Sequence, residues 1–323
     1  MSKIQLALEM GSSYTSIYIE GLGVVLKEPS KVAFLENISE RNIIEAGIKV
    51  KKMQGKTSEK TLIVSPINEG IISNTVAATA MLKAFLKKVL KGGFLVNIRA
   101  VVCVPCGLTK LQRKDYEETC IKAGINEVIL IESVIAAGLG IGLPLEASKG
   151  VAVIDIGGGT TDIAVMSNSG IISGCSVFAG GIMMDKAIIE YIKKKYGLII
   201  GETTAEKLKI EIGSLYDNDL AESKVNGMNQ KTQNPSYAVV TAKDIKEAIA
   251  PFYTKIAASA ESIINVCPPE IAADIYKNGI FLTGGAASIL GIEQFLGSRL
   301  KVAVKVVTDT SYAVILGAGK LLS

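Results

Sequence analysis

The chain has 323 residues, 49% of them hydrophobic, with 35 Lys and Arg against 31 Asp and Glu, a net charge of +4. That length predicts two domains at roughly 100–200 residues each, and so mild a charge, with no basic block interleaved with aromatics, argues against a nucleic-acid partner. There is no His and no Trp, which excludes Ser-His-Asp and Cys-His nucleophiles, His-containing zinc sites and imidazole acid–base chemistry.

Mean hydropathy is high at +0.38, yet no apolar run reaches the ~18 residues that a membrane span requires. Met1-Ser2-Lys3 leads straight into strand-like sequence, so neither a signal peptide nor an N-terminal amphipathic anchor is expected. The five cysteines (103, 106, 120, 175 and 267) are an odd number, and reduced thiols in a cytoplasmic protein are expected. Cys103-Val104-Pro105-Cys106 has redox-like spacing, but no second pair completes a metal site, so buried thiols at a strand end are the plainer expectation.

In chain order, residues 4–19 read as two strands around the turn 11–13. Residues 49–60 are polar and Gly-punctuated, a surface excursion. Asn74 is placed to cap a helix running to residue 90, with Met81, Leu82, Phe85, Leu86 and Val89 on one face. A strand over 99–104 ends at Pro105, a helix over 111–123 closes at Gly124, and 127–132 is again strand. Residues 136–142, small and apolar, predict a closely packed helix between domains. A second strand–turn–strand unit occupies 151–165, followed by helices over 184–196 and 204–212. Residues 217–236, rich in Asn and Gln, are the most loop-like stretch. A long helix over 242–265, a strand over 279–282 and a turn at Gly284-Gly285 into a helix over 288–300 complete the chain. Alternating strands and helices predict α/β architecture with parallel-dominated sheets.

Leu8-Glu9-Met10-Gly11-Ser12-Ser13-Tyr14-Thr15 and Ile154-Asp155-Ile156-Gly157-Gly158-Gly159-Thr160-Thr161 superimpose position for position. Each has an apolar strand, a carboxylate, a Gly-containing turn, a Thr and a second strand. This duplication predicts two similar halves facing each other across a cleft. Gly-rich turns aim consecutive backbone N–H groups at phosphate oxygens, with Glu9 and Asp155 placed to hold Mg²⁺ through its waters. The hydroxyls of Ser12, Ser13, Thr15, Thr160 and Thr161 supply further donors. A third turn, Thr283-Gly284-Gly285-Ala286-Ala287, suits a base or ribose packed on bare backbone. Neither the P-loop nor the dinucleotide fingerprint is present.

With these motifs in order, the sequence resembles the actin–Hsp70–sugar kinase superfamily and, within it, the MreB bacterial actins, over essentially its whole length. Residues 21–30, 101–105, 127–132 and 155–162 carry the resemblance, together with Ile200-Gly201-Glu202-Thr203-Thr204-Ala205-Glu206, Cys267-Pro268-Pro269-Glu270 and Leu282-Thr283-Gly284-Gly285. It implies an actin-like, ribonuclease H-like duplicated, two-domain clamshell with a central nucleotide cleft. The first domain would span 1–142 plus 311–323, with a small subdomain at about 31–67. The second would span 143–310, with a small subdomain at about 182–245. It also implies ATP or ADP with Mg²⁺ as ligands and self-assembly into paired protofilaments. The filaments would lie at the inner face of the cell membrane and organise the cell-wall synthesis machinery.

Carried over by residue, Asp155 would position the metal and Glu132 the attacking water. Gly11, Ser12, Ser13, Tyr14 and Thr15, with Gly157, Gly158, Gly159, Thr160 and Thr161, would hold the phosphates. Gly181, Glu206, Lys209, Gly284, Gly285 and Ala286 would surround ribose and base. A solvated i, i+3 pair is the plainer reading of Glu206 and Lys209.

Several positions depart from the family pattern. Glu9 stands where the family has Asp, Ser133 follows Glu132 in place of a second Glu, Ile182 replaces an Asp, and Ala286 replaces a third Gly. The resemblance therefore leaves two readings open: a slow filament-forming ATPase, or a hydrolysis-deficient scaffold that uses nucleotide as a clamp. An apolar loop carrying Phe94 and Leu95, beside Lys87, Lys88 and Lys91, is the expected membrane contact; the plainer alternative packs both residues into the core.

Overall fold

Alternating apolar positions at Leu6, Leu8, Ala100 and Val102 bury one face of a strand pair, and Ala7, Val101 and Cys103 bury the other; strands covered on both faces belong at the centre of a layered molecule. The computed structural model describes residues 3–90, 97–144, 148–168 and 170–322. The strands Glu127–Glu132, Asn97–Val104, Lys3–Met10, Tyr14–Ile19 and Gly23–Pro29 form one five-stranded sheet in that order. A second five-stranded sheet runs Gly170–Val177, Thr161–Ser167, Val151–Ile156, Ile280–Thr283 and Val304–Val306.

The two sheets repeat one plan. In each, a hairpin and the strand after it pair antiparallel, while two more strands join the other side in parallel. The expected parallel-dominated sheets are thus corrected to mixed ones, because the duplicated turns are themselves hairpins and impose antiparallel pairing locally.

Each sheet has its own core on its outer face, and a third core lies between the sheets. Ala7 and Val101 from one sheet, and Val153, Ala164 and Met166 from the other, pack there with the helices Ser133–Gly140 and Ala313–Gly319. These two helices touch backbone to backbone. A Cβ on Gly140 would lie 1.9 Å from the Ala313 carbonyl oxygen, and one on Gly317 would lie 1.7 Å from that of Ala136. Each half also carries a small three-stranded sheet: Ile43–Ala46, Val32–Leu35 and Thr61–Val64 in the first, Leu198–Ile199, Glu222–Asn229 and Pro235–Thr241 in the second.

Several expected elements are present as drawn. Asn74 caps the helix Thr75–Val89 by accepting from the Ala77 N–H at 2.8 Å. The strand Glu127–Glu132 and the helix Ala242–Asn265 have the expected limits, the helix opening on a capping box between Thr241 and Asp244. Others need correction. Residues 217–236 are largely hairpin, because a sheet with one solvated face accepts polar side chains; Asn229 closes its turn by accepting from the N–H groups of Lys231 and Thr232 at 2.9 and 3.0 Å. Within 49–60 lies part of a helix, Ile48–Met53, anchored by buried Val50. The helix expected over 288–300 is divided at Gly291 (φ +78°) into a 3₁₀ turn, Gly285–Ser288, and a helix, Ile292–Leu300. Helices Ser133–Gly140 and Gly181–Tyr196 begin three residues earlier than the apolar pattern indicates.

Phe94, Leu95 and Lys91 lie outside the described residues. Of the neighbouring lysines, Lys87 is exposed, whereas Lys88 is engaged by Glu28 at 2.9 Å and by the Ala46 carbonyl at 3.3 Å. Among the described residues no helix is long and apolar enough to cross a membrane.

The glycine crossing yields a prediction. Gly140→Ala or Gly317→Ala forces the two central helices apart, and each should cost about 2–4 kcal/mol in urea unfolding. Unchanged midpoints would mean that the crossing is not under steric constraint.

Candidate functional site

The two hairpins close identically. The Gly11 N–H donates to the Tyr14 carbonyl at 3.0 Å, and the Gly157 N–H donates to the Thr160 carbonyl at 2.9 Å. In register, Glu9 faces Ser16 and Met10 faces Thr15; Asp155 faces Asp162 and Ile156 faces Thr161. The duplication seen in the sequence is therefore a duplication of backbone geometry.

The two turns meet at a cleft of about 560 Å³. Glycine is required where they approach: a Cβ on Gly158 would lie 2.0 Å from Ser13 Oγ, and one on Gly159 would lie 2.2 Å from Ser12 Oγ. Gly284 (φ +87°) brings the third turn against them, since a Cβ there would lie 2.4 Å from the Ile156 carbonyl oxygen and 2.6 Å from Asp155 Oδ1. Bare backbone thus converges from three loops on one space.

Of the expected residues, the structure brings Glu9, Gly11, Ser12, Ser13, Tyr14, Asp155, Gly157, Gly158, Gly159, Thr160, Gly181, Glu206, Lys209, Gly284, Gly285 and Ala286 together as cleft lining. Two expectations are corrected, and a third residue gains a partner. The Thr15 hydroxyl is taken by Ser30 at 2.9 Å and the Thr161 hydroxyl by the Ala179 carbonyl at 2.7 Å, so both fasten the hairpins from behind. Glu132 is held by Arg113, and it is the next residue, Ser133, that lines the cleft.

Glu206 and Lys209 are not a solvated pair with each other. Lys209 joins Asp185 at 2.7 Å and the Gly181 carbonyl at 2.8 Å, while Glu206 joins Lys51 at 2.7 Å. Asp185 lies three residues beyond Ile182, so the carboxylate missing at 182 is offered one helical turn later. Beside these contacts, Gln54 donates to Glu202 at 2.6 Å. The helix Ile48–Met53 and the residue after it thereby meet the helix Glu202–Ile212 across the cleft mouth.

Sequence reasoning missed Lys27, Lys51, Asp162 and Asp185. Asp162 was legible as the residue after the second Thr; the others depend on strand register and on contacts distant in sequence. The floor is acidic and buried. Burial, aggravated by Asp162 and Glu9, pushes Asp155 well above the usual carboxylate range. Burial raises Asp162 to about 6, against the hydrogen bond from the Cys106 N–H at 3.0 Å, and raises Glu9 to about 7, against the attraction of Lys27. Glu9 Oε2 has no hydrogen-bond partner. Cys103 and Cys106 are buried free thiols, raised by burial.

Among the described residues no cluster of three or more His, Cys, Asp or Glu side chains could hold a metal alone. Mg²⁺ asks for less, keeping most of its waters and taking one or two carboxylates plus phosphate oxygens. The buried Asp155 and the orphaned oxygen of Glu9 fit that demand.

Two facing sheets with matching hairpins around one cleft define an actin-like clamshell. The fold agrees with that of MreB5 of Spiroplasma citri bound to AMPPNP, at a TM-score of 0.93 and 30% identity over 99% of this chain and 96% of that one. It also agrees with MamK in its double helical filament, at a TM-score of 0.84 and 18% identity over 99% and 98%, a likeness of fold alone. The sequence profile described as MreB/Mbl protein matches residues 3–323. The chain is 37% identical to the cell shape-determining protein MreB of Escherichia coli (strain K12) over 321 residues, covering 98% of this chain and 92% of the relative. It is 33% identical to the cell shape-determining protein Mbl of Bacillus subtilis (strain 168) over 318 residues, covering 98% and 95%. The chain belongs to the MreB/Mbl family.

The cleft floor makes a prediction for the nucleotide-free protein. Because folding raises the Glu9 pKa from 4.5 to about 7, the folded chain holds that proton more tightly than the unfolded one. The stability it contributes is complete below pH 4.5 and is lost as pH rises through 7. Glu9→Gln should therefore match wild type at pH 4.5 in urea unfolding and exceed it by roughly 3 kcal/mol at pH 8. An equal difference at both pH values would disprove the burial argument.

Proposed function

We propose that this chain binds ATP or ADP with Mg²⁺ in the cleft and polymerises with copies of itself into paired actin-like protofilaments. The filaments lie on the inner, cytoplasmic face of the cell membrane and organise the cell-wall synthesis machinery, and through it cell shape. The observation that carries this reading is the pair of matching turns aiming bare backbone into one cleft above buried carboxylates. The AMPPNP and ADP complexes of the Spiroplasma citri relative support the ligand class, and the cell shape-determining names of the bacterial relatives support the role.

In this reading residues 1–142 with 311–323, and residues 143–310, are the two domains closing on the nucleotide, with small subdomains at about 31–67 and 182–245. Backbone N–H groups of 12–14 and 158–160 donate to phosphate oxygens, those of Gly11 and Gly157 being used to close the hairpins. Asp155 and Glu9 hold Mg²⁺ through its waters. Gly181, Glu206, Lys209 and the turn 284–286 enclose ribose and base, with Asp185 orienting Lys209. Bound with nucleotide, Mg²⁺ supplies charge neutralisation at the phosphates.

The Arg113–Glu132 pair favours a second reading, a scaffold in which nucleotide is a clamp rather than a fuel. Arg113 occupies one oxygen of Glu132, and the residue lining the cleft at that point is Ser133. Phosphate release that Glu132→Ala abolishes supports the ATPase; release no greater than background in wild type establishes the scaffold.

Binding is tested with a fluorescent ATP analogue. Asp155→Ala should reduce the affinity in Mg²⁺ to the value found in EDTA, about tenfold weaker. Equal affinity with and without Asp155 and Mg²⁺ would remove the assignment. Membrane contact is tested by co-sedimentation with anionic liposomes, since two inserted apolar side chains contribute roughly 3–6 kcal/mol at full burial and repetition along a filament multiplies the effect. Phe94→Ser/Leu95→Ser should stay in the supernatant; pelleting like wild type, in a variant that still polymerises, would show that the loop is not the anchor.

A further inference from the structure

Lys27 lines the cleft without a counterpart in the duplication. The strand registers place Glu9 opposite Ser16 and Ser16 opposite Lys27, so the three form one transverse row across the first sheet. The matching row of the second sheet runs Asp155, Asp162 and Ser176, with no cation. The floor therefore combines three buried carboxyl groups with the ammonium of Lys27 on the side of the first hairpin.

The surroundings of that ammonium matter as much as its position. Lys27 Nζ donates to the Ser311 carbonyl at 2.5 Å and sits 3.8 Å from the centre of the Tyr312 ring. Both close contacts are neutral, while Glu9 acts on it through space. A lysine carries three N–H donors on a flexible stem, so moving from a carbonyl to an anionic oxygen exchanges a weaker hydrogen bond for a charge-assisted one. A polyphosphate held by the turn 11–14 would enter a space that Glu9 makes hostile to anions, and Lys27 is the cation of the same row.

We propose that Lys27 is a phosphate-binding residue of the cleft, a protein-borne cation that takes over part of the neutralisation otherwise supplied by a divalent ion. The inference rests on the reading of the cleft as a nucleoside di- or triphosphate site. It gives Glu9 a local partner, and it makes nucleotide affinity less dependent on Mg²⁺ than Asp155 and Glu9 alone would dictate.

The test is titration with a fluorescent ADP analogue, in Mg²⁺ and in EDTA, for wild type, Lys27→Met and Lys27→Arg, with thermal unfolding of each. Wild type should lose about tenfold in EDTA and Lys27→Met about a hundredfold, with Lys27→Arg restoring most of the difference. A methionine variant with the wild-type ratio between the two conditions overturns the proposal. So does one that weakens binding equally in both, which marks a structural role. A second measurement uses the unaltered protein: nucleotide in EDTA should slow acylation of Lys27, read by mass spectrometry, several-fold, and unchanged labelling overturns the proposal even if the methionine variant does not fold. Wild type that binds nucleotide in neither condition removes the cleft reading itself, whereas binding indifferent to Lys27 removes this inference alone.

Discussion

The contact on which the molecule depends is the crossing of the helices Ser133–Gly140 and Ala313–Gly319, where glycine lets backbone meet backbone. It occupies the layer between the two sheets and is packed by residues from the inner face of each. Each of the three glycine-bearing turns of the cleft is attached to one sheet or the other, so the separation of the helices sets the separation of these turns. A side chain at Gly140 or Gly317 would widen the layer by ångströms, and contacts such as Gly158 on Ser13 tolerate no such change. The chain enters the crossing from both directions: Ser133 follows the last residue of a strand in the first sheet, and Ala313 follows a segment lying against the third turn.

That segment joins the halves in a second way. The Thr310 carbonyl accepts from the Gly284 N–H at 3.0 Å and from the Thr283 hydroxyl at 2.9 Å, and the adjoining Ser311 carbonyl accepts from Lys27. The floor of the cleft is thus built from both sheets and from the C-terminal connection. Ionising its carboxyl groups is costly in the absence of ligand: burial raises Asp155, Asp162 and Glu9 together, and Lys27 offsets part of that cost at Glu9. The site is organised for a cation and for a ligand that brings one.

What could be read from the sequence was what repeats or alternates. The two carboxylate–turn–Thr units were visible because backbone geometry demands the same residue types twice, and the helix after Asn74 because cap and apolar face coincide. The hairpin within 222–241 was hidden by its composition: Val225 and Val240 are buried, and the intervening strands face water. Its alternation and the Asn-bounded turn were the available signal. The roles of Thr15 and Thr161 were misread because sequence gives a hydroxyl's position but not its direction; strand pairing turns both away from the cleft. Lys27 in Val-Val-Leu-Lys-Glu-Pro reads as an ordinary edge lysine, and only register puts it in line with Glu9. The mixed sheets follow from the hairpins already recognised, a consequence that the strand–helix alternation obscured.

The contacts across the mouth of the cleft contrast with those at its base. Lys51 with Glu206, and Gln54 with Glu202, connect the small helix of one half to a helix of the other. Such partly exposed polar contacts contribute about 0–1 kcal/mol each, whereas separating the helix layer means opening a dry core. The molecule therefore resembles forceps, stiff at the rivet and lightly held at the tips. Contacts this weak add little to hold the tips together, and ions in the surrounding solution weaken the ion pair between them. Ionic strength thus becomes a control on how long the jaws stay shut, independent of the chemistry at the floor.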